Sequence, residues 1–436
     1  MNRRTLALAN LTVKKYLFTP GFILLLVFLL LIPFWCSYMR GDGTMEGKFK
    51  VFITYSFLLT SLILTVTNIS FSCVSISGEW KRKTLFLLDV KTIRRWEIIL
   101  GKWFGLLFLN LFLIITFLIS MGFSSILLSN RLEKDFPEGK KIFLTYTQVF
   151  PVSSREKSQI ESSSLLSSPE VSSSLTPSTK RKETYAVPPR GKIEWSFRGI
   201  KNASSDIYLV FRFYTSEKEK KEILGYWLVG NPSLKKPLEI STVFSPDKVH
   251  RLRIPTEAVG KKGELSLTYL NIDPKNVSVL FPRRELKVIY PWGSYWGNLL
   301  RSGTNLLLVA GFISAVGIFF STLVSTLTAI LSTSVLVFIS YLHDFVEIIT
   351  KSLVSGGTDK AVDLVPRFSY PLLKLLTFLL PPLNKFLPHS YIGDFLILTF
   401  SYLREVFLRT LLLGAIPVLL VAIIYFSRRE LGIPNE

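Results

Sequence analysis

Few residues in this chain are equipped for covalent or metal chemistry. Its thiols, Cys36 and Cys73, both sit inside apolar runs, and its imidazoles, His250, His343 and His389, are scattered along the sequence. That spread offers no disulfide framework and no Cys/His metal cluster, and it argues against a catalytic histidine set. One stretch, Gly43 followed by Gly47-Lys48-Phe49, superficially resembles a phosphate loop. A true loop needs a glycine where Asp42 stands, a Ser or Thr where Phe49 stands, and a buried strand in front. No ATP, cofactor or metal site is therefore expected in this chain. What remains is charge. Between residues 77 and 102, seven basic residues (Lys81, Arg82, Lys83, Lys91, Arg94, Arg95, Lys102) face three acids, Glu79, Asp89 and Glu97. Leu85, Leu87 and Leu88 lie among them. Charges and leucines interleaved in this way offer ion pairs and groove contacts to a protein partner, which is docking rather than bond-making chemistry.

The elements that must hold this segment are long and apolar. Hydrophobic residues make up 49% of the 436 and charged residues 19%, with a mean hydropathy of +0.38. A soluble domain of this size carries more charge. A bilayer crossing takes about 20 apolar residues, and residues 18–38, 51–76 and 103–128 each qualify. Residues 302–342 form a run of 41 without a charge. At about 1.5 Å per residue this is too long for one span and enough for two, with a turn within 322–334. Residues 406–426 form a last span, with Pro417 as its expected kink. The first run follows Arg3, Arg4, Lys14 and Lys15 as in a signal peptide, yet it ends in Pro33-Phe34-Trp35-Cys36 without a small-residue cleavage site. It is expected to be a retained span, so the count is six.

The formal charge of +21 indicates topology before it indicates nucleic acid, and no nucleic-acid partner is expected. Residues 1–17 carry four Lys/Arg and no acid, 77–102 carry seven against three, and Arg428-Arg429 follow the last span. An even number of spans puts all three on one side. The positive-inside rule makes that side the cytoplasm, with both termini inside a cell membrane, the inner one in a Gram-negative cell.

Residues 129–296 then lie outside. In 153–178, 12 of 26 residues are Ser, and 153–185 is expected to be a flexible linker. From 191 to 290 apolar and polar residues alternate at 193–197, 207–214, 265–270 and 277–280, with 286–290 similar. This predicts a small antiparallel β-sandwich, with 141–149 as a candidate outer strand. Trp195 and Trp227 are expected in its core. Residues 366–390 are apolar but broken by Lys374, Pro381 and Pro382, which predicts a re-entrant or interfacial hairpin. The expected fold class is an α-helical polytopic membrane protein of six transmembrane helices, with a β-sandwich inserted between spans 3 and 4. Its parts are 1–128 with the segment 77–102, 129–296, and 297–436.

The order of residue types in 77–102 adds to its charge. Residues 84–88 offer an amphipathic turn, 89–92 a break with Thr92 as a candidate cap, and 93–100 the start of a helix feeding span 3. In this order the segment resembles the coupling region of type-2 ABC exporter permeases. That region shows an acid, a Thr-Leu pair with further leucines, a basic residue, a Glu, and a Gly-Lys entering span 3. Here Glu79, Thr84-Leu85, Leu87-Leu88, Arg94 and Arg95, Glu97, and Gly101-Lys102 stand in those places, while Lys91-Thr92-Ile93 replaces the family's usual proline. The basic N-terminal elbow, the six-span layout, the broken hairpin and the Arg428-Arg429-Glu430 tail also match. The resemblance implies a dimer, of identical or different chains, bound to two cytoplasmic ATP-hydrolysing subunits that hold the ATP. It also implies that Glu79, Arg82, Thr84, Leu85, Leu88, Arg94, Arg95, Glu97, Gly101 and Lys102 are the coupling residues.

A rival reading is a membrane-anchored sensor whose outer domain binds a ligand without transport. The region 129–296 carries 28 Lys/Arg and 18 Asp/Glu, so anionic lipid, polysaccharide or a further extracytoplasmic partner would suit it. An intramembrane enzyme has less behind it, because the clear spans hold no His/Asp/Glu set.

Overall fold

The computed structural model describes residues 3–41, 45–81, 84, 93–133, 144–157, 184–201, 206–216, 222–231, 237–260, 262–272, 277–283, 285–355, 371, 373–374, 377–378 and 380–428. They form two compact units. One comprises Met1–Phe143 and Ser294–Glu436, the other Leu144–Gly293.

The first unit is helical. Helix α1 (Arg3–Leu17) buries Thr5, Leu8, Ala9, Thr12 and Tyr16, a stripe at three- and four-residue spacing along one face. It ends where Thr19 donates its hydroxyl to the Tyr16 carbonyl at 2.7 Å. Pro20 then opens α2 (Pro20–Cys36), because proline fits a first turn and disfavours helix in the residue before it. The two helices meet at 78°. Helices α3 (Met45–Lys81) and α4 (Arg95–Glu133) run beyond the expected spans at both ends. Helices α5 (Tyr295–Leu323) and α6 (Thr326–Tyr341) are separated at Val324-Ser325, inside the expected turn. Helix α6 bends by 68° into α7 (His343–Ser355). A short α8 (His389–Gly393) precedes α9 (Phe400–Arg428). Helix α9 runs as π turns through Leu408–Ala415, where Ile416 N–H reaches back to the Leu411 carbonyl. Pro417 follows directly and supplies the physical reason, since it has no N–H to give and crowds the preceding turn. Among the described residues, four helices, α3, α4, α5 and α9, are long and apolar enough to cross a membrane, and the two bent pairs bring the number to six if each is one span.

Helix α5 is the hub. Of its most apolar window 72% is buried, against 28% for α9. Small residues recur among its buried positions, including Ser302, Gly303, Ala310, Gly311, Ser314, Ala315 and Gly317, which lets neighbouring backbones approach. Polar side chains lock three helices together at mid-length. Asn68 of α3 donates to the Ala310 carbonyl at 2.6 Å, and its amide oxygen accepts from Ser314 at 2.7 Å and from Asn110 of α4 at 3.1 Å. In apolar surroundings such groups must find partners within the protein.

The expected hairpin lies partly outside the described residues. Its described end packs inside the helical unit: Leu380, Leu383 and Phe386 share a core with Ile69, Val309 and Val406. The non-helical backbone there is met by side chains of the helices. Ser340 donates to the Pro381 carbonyl, Asn305 to Phe386 O at 2.7 Å, and Tyr402 to Lys385 O at 3.1 Å. Asn298 donates to Leu396 O at 2.9 Å and accepts from the Leu398 N–H at 2.7 Å. Irregular backbone at this depth persists only with such partners.

The second unit is all β. Its strands are β1 (Leu144–Val149), β2 (Ser153–Lys157), β3 (Thr184–Val187), β4 (Lys192–Phe197), β5 (Ile207–Arg212), β6 (Tyr214–Thr215), β7 (Ile223–Gly230), β8 (Leu238–Phe244), β9 (Val249–Ile254), β10 (Leu265–Asn271), β11 (Val279–Pro282) and β12 (Lys287–Ser294). They form sheets in the orders β1-β12-β5-β9, β2-β4-β10-β7-β8 and β3-β11-β6. The central strand β10 pairs antiparallel with β4, Leu267 opposite Trp195, and with β7, Tyr269 opposite Trp227. Inward side chains of all three sheets share one core. At its centre Trp195 and Trp227 are both 0% exposed and stack at 6.0 Å. Phe281 lies edge-on to each, at 5.4 and 5.9 Å. The core placement of both tryptophans thus holds.

The expected linker at 153–185 needs correction. Its first five residues form β2, paired with β4, and Thr184–Val187 is β3; residues 158–183 lie outside the described set. Serine is tolerated in β2 because a partner strand supplies the backbone hydrogen bonds. Strands β7, β8 and β9 were not among the expected ones; β8 and β9 are mostly exposed, and their alternation is short, confined to Leu238 and Ile240 in β8 and to Leu252 and Ile254 in β9. We predict that Trp227→Ala lowers the stability of this unit by about 3–5 kcal/mol. Limited proteolysis of the intact chain should then cut within 144–293 at a lower temperature than in wild type.

Candidate functional site

The candidate segment 77–102 begins on the last turn of α3 and ends inside the second turn of α4. Both flanks are described, as is Thr84, while Arg82, Leu85 and Leu88 lie outside the described residues. The flanks enclose a buried charge junction. Glu79 is 6% exposed and Lys102 1%. The Lys102 ammonium bonds Oε1 of Glu79, and Lys15 of α1 bonds the same oxygen at 2.9 Å. One carboxylate therefore joins three helices. Its second oxygen, Oε2, has no hydrogen-bond partner among the described residues.

Local sequence explains how α1 reaches this place. Gly101 and Gly105 stand one turn apart on α4. A methyl group on Gly101 would lie 2.6 Å from Leu8 Cβ, and one on Gly105 2.7 Å from Thr12 Cβ. The glycines thus form a flat track into which the buried stripe of α1 fits. Tyr16 completes the docking by stacking on Phe71 at 4.7 Å and donating its hydroxyl to the Phe71 carbonyl at 3.3 Å. Lys15, its neighbour, is thereby delivered to Glu79.

The start of α4 is capped from within. Glu97, 1% exposed, accepts the backbone N–H of Arg94 at 2.9 Å. This is the reciprocal half of a capping box, in which the third helical residue reaches back to the cap. Arg94, not Thr92, is the cap residue, and Thr92 is outside the described set. Arg95 donates to the carbonyls of Phe426 and Ser427 at 3.1 and 3.2 Å, satisfying the orphan acceptors at the end of α9. At the end of α3, Thr84 donates to the Glu79 carbonyl at 3.2 Å. Ser77 bonds across to the α5–α6 turn, its N–H to Ser321 Oγ at 2.9 Å and its hydroxyl to that of Thr326 at 2.8 Å. Residues from the three basic stretches, Lys15, Lys102 with Arg95, and the end of α9, therefore gather at one end of the helical unit.

The reading of Glu79 and Glu97 as ion-pair donors to a partner is corrected by this geometry. Both carboxylates are buried and bonded within the chain, Glu79 to two lysines and Glu97 to a backbone N–H. Gly101 and Lys102 likewise face inward, and Arg95 is occupied by α9. The described charges left on the surface of the segment are Lys81 and Arg94. Lys15 was missed as a site residue, since its link to Glu79 spans 64 positions. The spacing of Gly101 and Gly105, four apart, is the sequence feature that points to close packing of a helix there. Among the described residues, the arrangement ties α1, α3 and α4 together through one carboxylate at the edge of the segment. No protein-family model, no curated protein and no solved structure matches this chain.

Removing one member of a buried charge pair strands the other. Glu79→Ala is expected to cost about 3–5 kcal/mol, and the pair change Glu79→Gln with Lys102→Met to recover much of it. Arg94→Ala, at an exposed position, should stay within about 0.5 kcal/mol of wild type. Thermal unfolding of the detergent-solubilised chain measures all three.

Proposed function

We propose that this chain is the membrane-spanning permease subunit of an ABC transporter, most consistent with export, and that it borrows its energy from separate ATP-hydrolysing subunits. In this reading each bent pair supplies one span, α2 from the first with α1 as the N-terminal elbow and α6 from the second, which gives six. The end carrying Lys15, Lys81, Arg94, Arg95 and Arg428 faces the cytoplasm, so both terminal regions are inside. The β unit, read as a sandwich, is outside. The permease pairs with a second chain, identical or different, and sits in a cell membrane.

The observation that carries the proposal is the buried junction of Glu79 with Lys15 and Lys102. It clamps α1, α3 and α4 at the two ends of the segment 82–92. A push on that segment from a partner is passed to three helices at once, because none of them can move without separating buried charges in an apolar setting. The polar ties from Ser77 to Ser321 and Thr326 extend the same rigid contact to α5 and α6. The failed phosphate loop at 42–49 leaves ATP to the partner. The exposed Lys81 and Arg94, with the intervening leucines in sequence, supply the surface such a partner would grip.

The test uses the two exposed charges and leaves the junction intact. Purified from its own host in mild detergent, the chain should carry an ATP-hydrolysing subunit. The double change Lys81→Glu with Arg94→Glu should reduce the bound subunit and the stimulated ATP hydrolysis severalfold, with an unchanged melting temperature. Equal amounts of bound subunit and equal hydrolysis in the double variant would overturn the proposal.

A further inference from the structure

The corner between α6 and α7 gathers three metal-ligand side chains that the proposed transport role does not use. His343, Asp344 and Glu347 open α7, and one ligand atom from each lies within 4.8 Å of the other two. The spacing brings this about. His343 and Glu347, four apart, stand one above the other on a helix face, and Asp344 is adjacent.

The histidine carries the inference. It is 7% exposed, and its Nε2 lies 3.0 Å from the carbonyl oxygen of Thr377. A carbonyl only accepts, so the Nε2 proton is donated to it and Nδ1 is left with its lone pair. That Nδ1 is buried and has no hydrogen-bond partner among the described residues. A buried acceptor without a donor is costly. The pattern is that of a metal-bound imidazole, in which a backbone carbonyl holds one ring N–H, sets the tautomer and aims the other nitrogen at the ion.

We propose that His343 Nδ1, Asp344 and Glu347 bind a divalent transition-metal ion, with Zn2+ best suited to one imidazole and two carboxylates, and water completing the shell. Zinc holds such donors at about 2.0–2.2 Å, which sets them about 3.3–3.6 Å apart in a tetrahedral shell, so atoms up to 4.8 Å apart have to close by roughly an ångström around the ion. The carboxylates are not idle before it arrives. Asp344 Oδ1 is 2.7 Å from the Lys385 ammonium, and Asp344 Oδ2 accepts from Asn384 Nδ2 at 2.7 Å. The ammonium holds the place of a cation, so ion and Lys385 compete for Asp344. Thr377, Asn384 and Lys385 all belong to the broken segment after α7. Binding of the ion therefore exchanges a lysine contact to that segment for a metal bond.

The experiment titrates the full-length, detergent-purified and tag-free chain with Zn2+ after chelator stripping. A chromophoric chelator serves as competitor, and bound metal is counted by mass spectrometry. One saturable equivalent per chain is expected. His343→Gln and Glu347→Gln should each weaken binding roughly tenfold or more, and Lys385→Met should tighten it. Glu347→Gln keeps the side-chain shape at a half-buried position, so it decides the matter even if His343→Gln fails to fold. Absence of a saturable equivalent, or equal affinity across wild type, Glu347→Gln and Lys385→Met, overturns the proposal.

Discussion

The carboxylate of Glu79, held between the ammoniums of Lys15 and Lys102, is the interaction on which the helical unit depends. All three charges are partly or wholly withdrawn from water, and a charge so placed survives only beside its opposite. Around this point the rest of that end is arranged. The glycine track on α4 exists so that α1 can lie close enough to present Lys15. The cap made by Glu97 sets where α4 begins, and with it the turn on which Lys102 points inward. Arg95, the first residue of α4, reaches the end of α9. A single buried anion thus sets the relative rotation of α1, α3 and α4.

The same unit answers a second constraint by different means. Where the described chain leaves helical geometry after α7, several of its backbone groups are met by side chains of the helices. Asparagines and serines on the surrounding helices take that role. Asn298 serves both a carbonyl and an N–H of the 396–398 stretch, Asn305 serves Phe386, and Ser340 serves Pro381. These residues look like ordinary polar interruptions of apolar runs. Their positions are understood only when the irregular segment they support is seen beside them.

The β unit follows the usual logic of a soluble core. Its strands close over a cluster of aromatic rings, with Trp195, Trp227, Phe211, Tyr269 and Phe281 in mutual contact. Burial of such large side chains dominates the energetics of a core. Strands that face this cluster on alternate residues were recognisable, as at 193–197 and 265–270. Strands on the periphery, such as β8 and β9, alternate over only four residues each, 238–241 and 251–254, which is short for a signal read along the chain.

By itself the sequence determined the apolar runs, the clustering of basic residues, the turn between α5 and α6, the strands β4, β5, β10 and β11, and the core placement of Trp195 and Trp227, though not the strand β7 that carries Trp227. These follow from local sums: a run of about 20 apolar residues or a period of two is a property of neighbours along the chain. Only the tertiary structure decided which way the described charges of 77–102, such as Glu79, Glu97 and Lys102, point. A helix turned by half a revolution would present Glu79 to solvent with the same composition and the same period. The choice rests on Lys15, which lies 64 residues away. The tautomer of His343 likewise rests on the carbonyl of Thr377, 34 residues on. The segment read at first as a surface for a partner is, at its two ends, an internal clamp, because desolvated charges are assigned partners by the packing of distant helices and not by the order of residues beside them.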